Sequence, residues 1–329
     1  MLEKKNYDFY ILTGIYSKGF KRLEFAKYGV SYMLLHSAAF KKILNQIDQG
    51  KEMLDDVLKE TNKHGWEKIT YVFFSQDKAQ LEKTYQFLLL LQPSKMQLMA
   101  DFITQYHDYE INGTRIQEHQ IVTVGLYDHS VFHFKDRYTK DEQRNLFFLG
   151  SKEQSRANKV LEQFMNIPNP EAFNRLLGIY LEACAEKRTY VKFLLLVMFI
   201  ESLVVDDDTM GVGYKLARMA GVLVGDNAAD SKEIFDRVKK SYTVRSKLVH
   251  SAKNEIHTGN YLLFIHSVVS EILITIVLNK KDTADLFRKT TAMAFGGRAE
   301  FWKVHKFRNI NNFFANEMNF LLDLKFKKQ

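Results

Sequence analysis

Arginine binds anions through a planar fork of donors, and histidine exchanges protons near neutral pH. The two lie five residues apart in SYTVRSKLVHSAK, Ser241 to Lys253, as Arg245 and His250. The stretch closes a helical segment, ADSKEIFDRVKKSYTVRSKLVH. A start signal opens it, with Asp230 as N-cap and Glu233 three residues on in a capping-box arrangement.

The helical period puts the arginine in an unexpected place. With Ile234 as origin and about 100° per residue, Val238 falls near 40°, Tyr242 near 80°, Val249 near 60° and Leu248 near −40°. These residues define the buried stripe, and Arg245 lies in its middle, at about 20°. A guanidinium buried without partners is costly. It needs a carboxylate, backbone carbonyls, a partner chain or a wet cleft. Glu201 and Glu271 interrupt otherwise apolar helices and need partners too, so each is a candidate. His250 falls at about 160°, off the stripe. Arg245 and His250 therefore converge only if the helix ends or bends near Val249, or if they meet across a dimer interface.

Other chemistry is less well signalled. DDDTMG, Asp206 to Gly211, offers carboxylates to a hard cation but lacks the spacing of a Ca²⁺ loop, and reads as a solvated turn. His129 and His133 sit four apart on an expected strand, where that spacing is no metal signature. The chain has no phosphate loop, dinucleotide fingerprint or nucleophile elbow. Basic residues Arg298, Lys303, His305, Lys306 and Arg308 mix with Phe301, Trp302, Phe307, Phe313 and Phe314. That mixture suits nucleic acid, but an amphipathic core helix gives the same pattern and is the preferred reading.

The elements that must position these residues divide in two. The first 150 residues read as an α+β domain of unassigned role. DFYILTGIY, KITYVFF, QIVTVGLYD and HSVFHFKD have strand character, with helical stretches over about Gly29–Lys63 and Gln76–Gln105, the second broken at Pro93. Residues 151–329 read as all-helical. A helix spans SKEQSRANKVLEQFMN, and another is capped by Asn169 with Pro170 first and Glu171 in its first turn. Further helices cover TYVKFLLLVMFIESLVV, Tyr214–Val224, Ser231 to about Val249, Tyr261–Leu278, Thr283–Phe295 and the C-terminal run. The fold class is α+β: a mixed N-terminal region, then a helical bundle.

Composition bounds the rest. Apolar residues make up 46% and charged residues 26%, a globular balance. The net charge of +8 permits an RNA, DNA or anionic-membrane partner without requiring one. Cys184 is the single cysteine, which excludes an intrachain disulfide and a cysteine-based zinc site and suits a reducing cytoplasm. The N-terminus lacks a signal peptide's apolar core. Tyr261–Leu278 reaches the length of a short membrane span, but His266, Ser267, Ser270 and Glu271 near its middle make it a buried helix.

FLLLVMFIESLVV, then YKLARMAGVLV, then VKKSYTVRSKLVHS, in that order, resemble the Apea-like branch of the HEPN superfamily (higher eukaryotes and prokaryotes nucleotide-binding). RSKLVH fits its Arg-x4-6-His signature. The resemblance covers roughly Tyr190 to Leu278 and leaves residues 1–150 unexplained. It implies a helical bundle, with a core over about residues 170–295, that dimerises. In the superfamily's ribonucleases two Arg-x4-6-His motifs meet at the dimer interface. The implied activity is metal-independent RNA cleavage without cofactor, in phage defence or a toxin system. By the same resemblance His250 is general acid or base and Arg245 holds the phosphate and stabilises its developing charge; Glu201 joins the candidate site on its own pattern, as a carboxylate ending an apolar run that needs a cationic partner. Ser246, Lys247 and Lys253 are the implied RNA contacts. Ser246 stands where many active members have Asn, Asp or His, and Ser251 where Apea-like members often have Gly. The alternative is therefore a catalytically silent HEPN module that binds RNA, nucleotide or a protein partner.

Overall fold

The computed structural model describes residues 6–15, 23–91, 97–126, 151–167, 170–203, 211–225, 227–251, 259–279, 289–290 and 292–296. It is an α+β protein of two compact units, Met1–Ser155 and Arg156–Gln329.

The first unit is built on a six-stranded sheet. Its strands are β1 (Tyr7–Thr13), β2 (Ser31–Leu34), β3 (Ile47–Gln49), β4 (Tyr71–Ser75), β5 (Gln97–Ile111) and β6 (Thr114–Leu126), in spatial order β2-β4-β1-β5-β6-β3. All neighbours are antiparallel except β3 and β6. Strand alternation sends Phe9, Ile11, Val72 and Phe102 to one face. There they form a core with Phe40 of α1 (Ala38–Leu44), Val57 of α2 (Asp55–Lys63) and Trp66. Phe9 and Phe102, directly opposite each other, stack at 4.3 Å. Tyr10 turns the other way and meets Tyr85 of α3 (Lys78–Leu91) edge-on at 5.8 Å.

Two expected helical stretches are corrected here. Gly29–Lys63 is no continuous helix, because it contains β2, α1, β3 and α2. Glycines in left-handed conformation punctuate it. Gly50 (φ 81°) also approaches β6 so closely that a Cβ would sit 2.5 Å from the Ile121 carbonyl. Gln76–Gln105 is helical only to Leu91, since Gln97 onward forms β5 between β1 and β6. Pairing on both sides outweighs local propensity there. HSVFHFKD lies outside the described residues.

The second unit holds α5 (Pro170–Ala185), α6 (Thr189–Glu201), α7 (Val212–Val224), α8 (Ala228–Ser251) and α9 (Gly259–Asn279), with α4 (Ser151–Met165) crossing the division. Among the described residues no helix is long and apolar enough to cross a membrane. In α9 the segment with His266, Ser267, Ser270 and Glu271 is buried within the protein. The cap of α8 is corrected: Asn227, not Asp230, receives the first-turn bond, its Oδ1 accepting from the Asp230 N–H at 2.9 Å. Helix α7 lies against α8 and runs the other way, Gly213 meeting Tyr242 and Gly221 meeting Ser231. A Cβ on Gly213 would fall 2.6 Å from the Tyr242 ring, so only glycine allows this approach. The chain past Ala292 straps the α7–α8 pair, as Arg218 donates to the Met293 carbonyl at 2.6 Å and the Gly296 N–H donates to Ser231 Oγ at 3.1 Å. The C-terminal basic and aromatic run, Arg298 to Phe314, lies outside the described residues.

Candidate functional site

Helix α6 buries Phe193, Leu196, Val197, Phe199 and Ile200 and ends on Glu201. Helix α8 buries Ile234, Val238 and Ser241 along one side and carries that side onward to Arg245. The two ends meet through their charges. Arg245 Nη2 donates to Glu201 Oε2 at 3.0 Å, with the side chains 28% and 19% exposed. Of the two acids flagged by sequence, Glu201 is the partner, while Glu271 lies buried in α9. Burial raises the Glu201 carboxyl above its ordinary range, and Arg245 pulls it back only in part. The pair thus keeps a carboxylate where desolvation opposes its charge, so the attraction to Arg245 is offset by the cost of burial.

The end of the buried stripe differs from expectation. Periodicity places Val249 on it, yet this residue is 52% exposed, and Leu248 is half-buried. The stripe runs past the last helix that covers it. Met198, one turn before Glu201 on α6, is likewise 43% exposed. Large apolar side chains therefore stand open on both helices, one turn from the ion pair.

Helix α8 continues without a break through Ser251. His250 therefore remains about 140° around the helix from Arg245, exposed on the outer side. Convergence within one chain by bending at Val249 is removed. Lys247 is exposed and Ser246 half-buried on the same helix. Lys253 lies outside the described residues, as do Asp206–Met210 of the acidic loop, His129 and His133. Among the described residues no group of three or more His, Cys, Asp or Glu is placed to hold a metal ion.

Sequence reasoning did not find the polar cluster inside the helical unit. Cys184 Sγ lies 3.5 Å from His266 Nε2, the His266 ring meets Tyr180 edge-on at 5.5 Å, and Tyr180 hydrogen-bonds with Cys184 and Ser270. The signal was present as four-residue spacings, Tyr180–Cys184 on α5 and His266–Ser270 on α9. A catalytic cysteine–histidine pair needs the thiol pushed down and the imidazole pushed up. Here burial pushes the thiol up to about 12, and burial together with the nearby Lys192 ammonium pushes the imidazole down to about 3. Both shifts run opposite to those a catalytic pair needs, which favours a structural cluster.

That assignment has a measurable consequence. Below pH 6.5 an unfolded chain protonates this imidazole and the native chain does not. Stability falls as pH drops from about 6.5 toward about 3, by about 1.4 kcal/mol per pH unit from this group. Urea unfolding of His266→Gln at pH 7 and pH 5 should show a shallower loss than the parent. Equal losses would mean that His266 is protonated in the native state.

No protein-family model matches the chain, and no curated protein or solved structure is detectably similar to it.

Proposed function

We propose that the helical unit is a HEPN-type bundle and that the protein is a metal-independent endoribonuclease acting as a homodimer. The observation that carries this reading is the split of the motif. Arg245 sits on the bundle-facing side of α8 beside Glu201, His250 lies on the outer side, and exposed Met198 and Val249 flank the pair. A second copy docked over that edge would cover the apolar side chains and bring its own histidine toward the first copy's arginine. An RNA phosphodiester between them would be cut by its own ribose. The 2′-oxygen attacks phosphorus as its proton passes to a base, and the P–O5′ bond breaks. The departing 5′-oxygen takes a proton from an acid, leaving a 2′,3′-cyclic phosphate. His250 supplies the proton transfer, and Arg245 binds the phosphoryl oxygens as their charge grows. Ser246, Lys247 and Lys253 contact the flanking backbone. A role in phage defence or a toxin system follows from the same family resemblance, and the single cysteine, Cys184, suits the cytoplasm.

A second reading, a silent HEPN module that binds RNA, nucleotide or protein, is favoured by Arg245 being already engaged by Glu201. Gel shift without cleavage at any pH would select it. Assembly tests the shared premise. Sedimentation at micromolar concentration should give a dimer, and Val249→Glu or Met198→Glu should shift it to monomer, because each buries a charge in the new interface. A parent chain that stays monomeric contradicts the two-copy site.

A further inference from the structure

The outer face of α8 has a second pattern. From Arg237 to Ser251 the helix carries Arg237, Lys239, Lys240, Arg245 and Lys247, and no acid. With Lys239 as origin, Lys232 lies at about 20°, Thr243 at about 40°, Lys247 at about 80° and His250 at about 20°. One stripe thus joins Lys232 to His250 along the side turned away from the core. Asp236 shares that side at about 60° and pairs with Lys232 at 2.6 Å, near the start of the stripe. The stretch from Lys239 to His250 covers about 16 Å of helix without a carboxylate.

An aromatic platform stands beside the start of this stripe. Tyr214, on the neighbouring α7, is 52% exposed, although its ring rests edge-on against buried Phe235 at 5.3 Å. Lys232 and Lys239 ammonium groups stand 6.0 and 5.9 Å from the Phe235 ring centre. The tyrosine thus rests on Phe235, the same ring that the two lysines approach, and is half exposed. Core packing would bury such a ring; it stands on Phe235 at the start of the stripe, next to the Lys232–Asp236 pair, and the acid-free run begins just beyond it. A fixed aromatic ring next to a line of cations fits a single-stranded polynucleotide, with a base stacked on the ring and phosphates following the lysines.

We infer that the outer face of α8 is a single-strand RNA track, on which a base stacks on Tyr214 and the backbone runs over Lys239 toward His250. This rests on the ribonuclease reading for its direction and deepens it: the substrate is unpaired RNA that must extend several nucleotides beyond the cut. Duplex RNA, whose bases are already stacked, would not use the tyrosine.

The test is fluorescence anisotropy of the full-length protein with a labelled 2′-O-methyl oligouridine, which lacks the free 2′-hydroxyl and so reports affinity without turnover. Lys239→Glu and Tyr214→Ala should each weaken binding about tenfold, while Tyr214→Phe, which keeps the ring, should bind like the parent. Lys59→Glu, an equal charge change on an exposed lysine of the first unit, is the control. Thermal melts confirm that each variant is folded. The track is overturned if the parent fails to bind, if Lys239→Glu matches the control, or if Tyr214→Ala binds like the parent. His250-dependent cleavage with affinity indifferent to Tyr214 and Lys239 would leave the nuclease standing and remove the track. Binding that depends on both residues, with no RNA cut, would do the reverse.

Discussion

RNA mixed with His250→Ala protein should be cut more slowly than with the parent by about 10²-fold or more, the usual scale for losing a general acid or base. The residue is exposed on the last turn of α8, away from the bundle core, so its truncation should leave folding unchanged. That separation makes the experiment readable, since lost activity with an unaltered thermal melt cannot be blamed on unfolding. Substrates with 2′-deoxyribose at the cut should be spared, because the attacking oxygen is missing. Products should carry a 2′,3′-cyclic phosphate, and chelators should not stop the reaction. Unchanged activity in His250→Ala would remove this chemistry and leave the silent module in front.

The second large effect belongs to the Arg245–Glu201 pair, where activity and stability should part company. Arg245→Ala should cost about 10²- to 10³-fold in cleavage, the scale of removing one donor to a developing oxyanion. Arg245→Lys keeps the charge but loses the planar fork, and should remain well below the parent. Glu201→Ala should destabilise by about 1–3 kcal/mol, below the figure for a fully buried pair because both side chains keep some solvent contact. Replacing both partners together, Glu201→Met with Arg245→Leu, should restore most of that stability and none of the activity. Burial already opposes the Glu201 charge, so an apolar pair removes a cost as well as a contact. Urea unfolding of the two singles and the double checks this. A double variant no more stable than the weaker of the two singles would make the pair a structural staple.

Much of this site was legible in the sequence because charge inside an apolar stripe is a demand that must be met. Eight apolar residues before Glu201 and the stripe around Arg245 left few ways to satisfy either side chain, and the two answer each other at 3.0 Å. Strands β1 and β4 and helices α6 to α9 were legible for a related reason, namely long runs of one period. Gln97–Gln105 was not, since its strand state is decided by β1 and β6 on either side rather than by its own pattern. Val249 was misplaced because periodicity says which side of a helix is apolar but not where the covering helices stop. The Cys184–His266 contact joins residues 82 apart, and nothing local announces which α5 residue meets which α9 residue. Tyr214 reads as one more apolar residue of α7 until its exposure is known.

The two-copy site is tested most directly by mixing. Arg245→Ala and His250→Ala chains, each inactive alone, are unfolded together, refolded as a mixture and assayed for RNA cleavage. In a mixed dimer one interface joins an intact arginine from the His250→Ala chain with an intact histidine from the Arg245→Ala chain. Activity should therefore return well above that of either variant refolded alone. A mixture as inactive as its components, in a sample where the parent refolds to full activity and mixed dimers are present, would contradict the shared site.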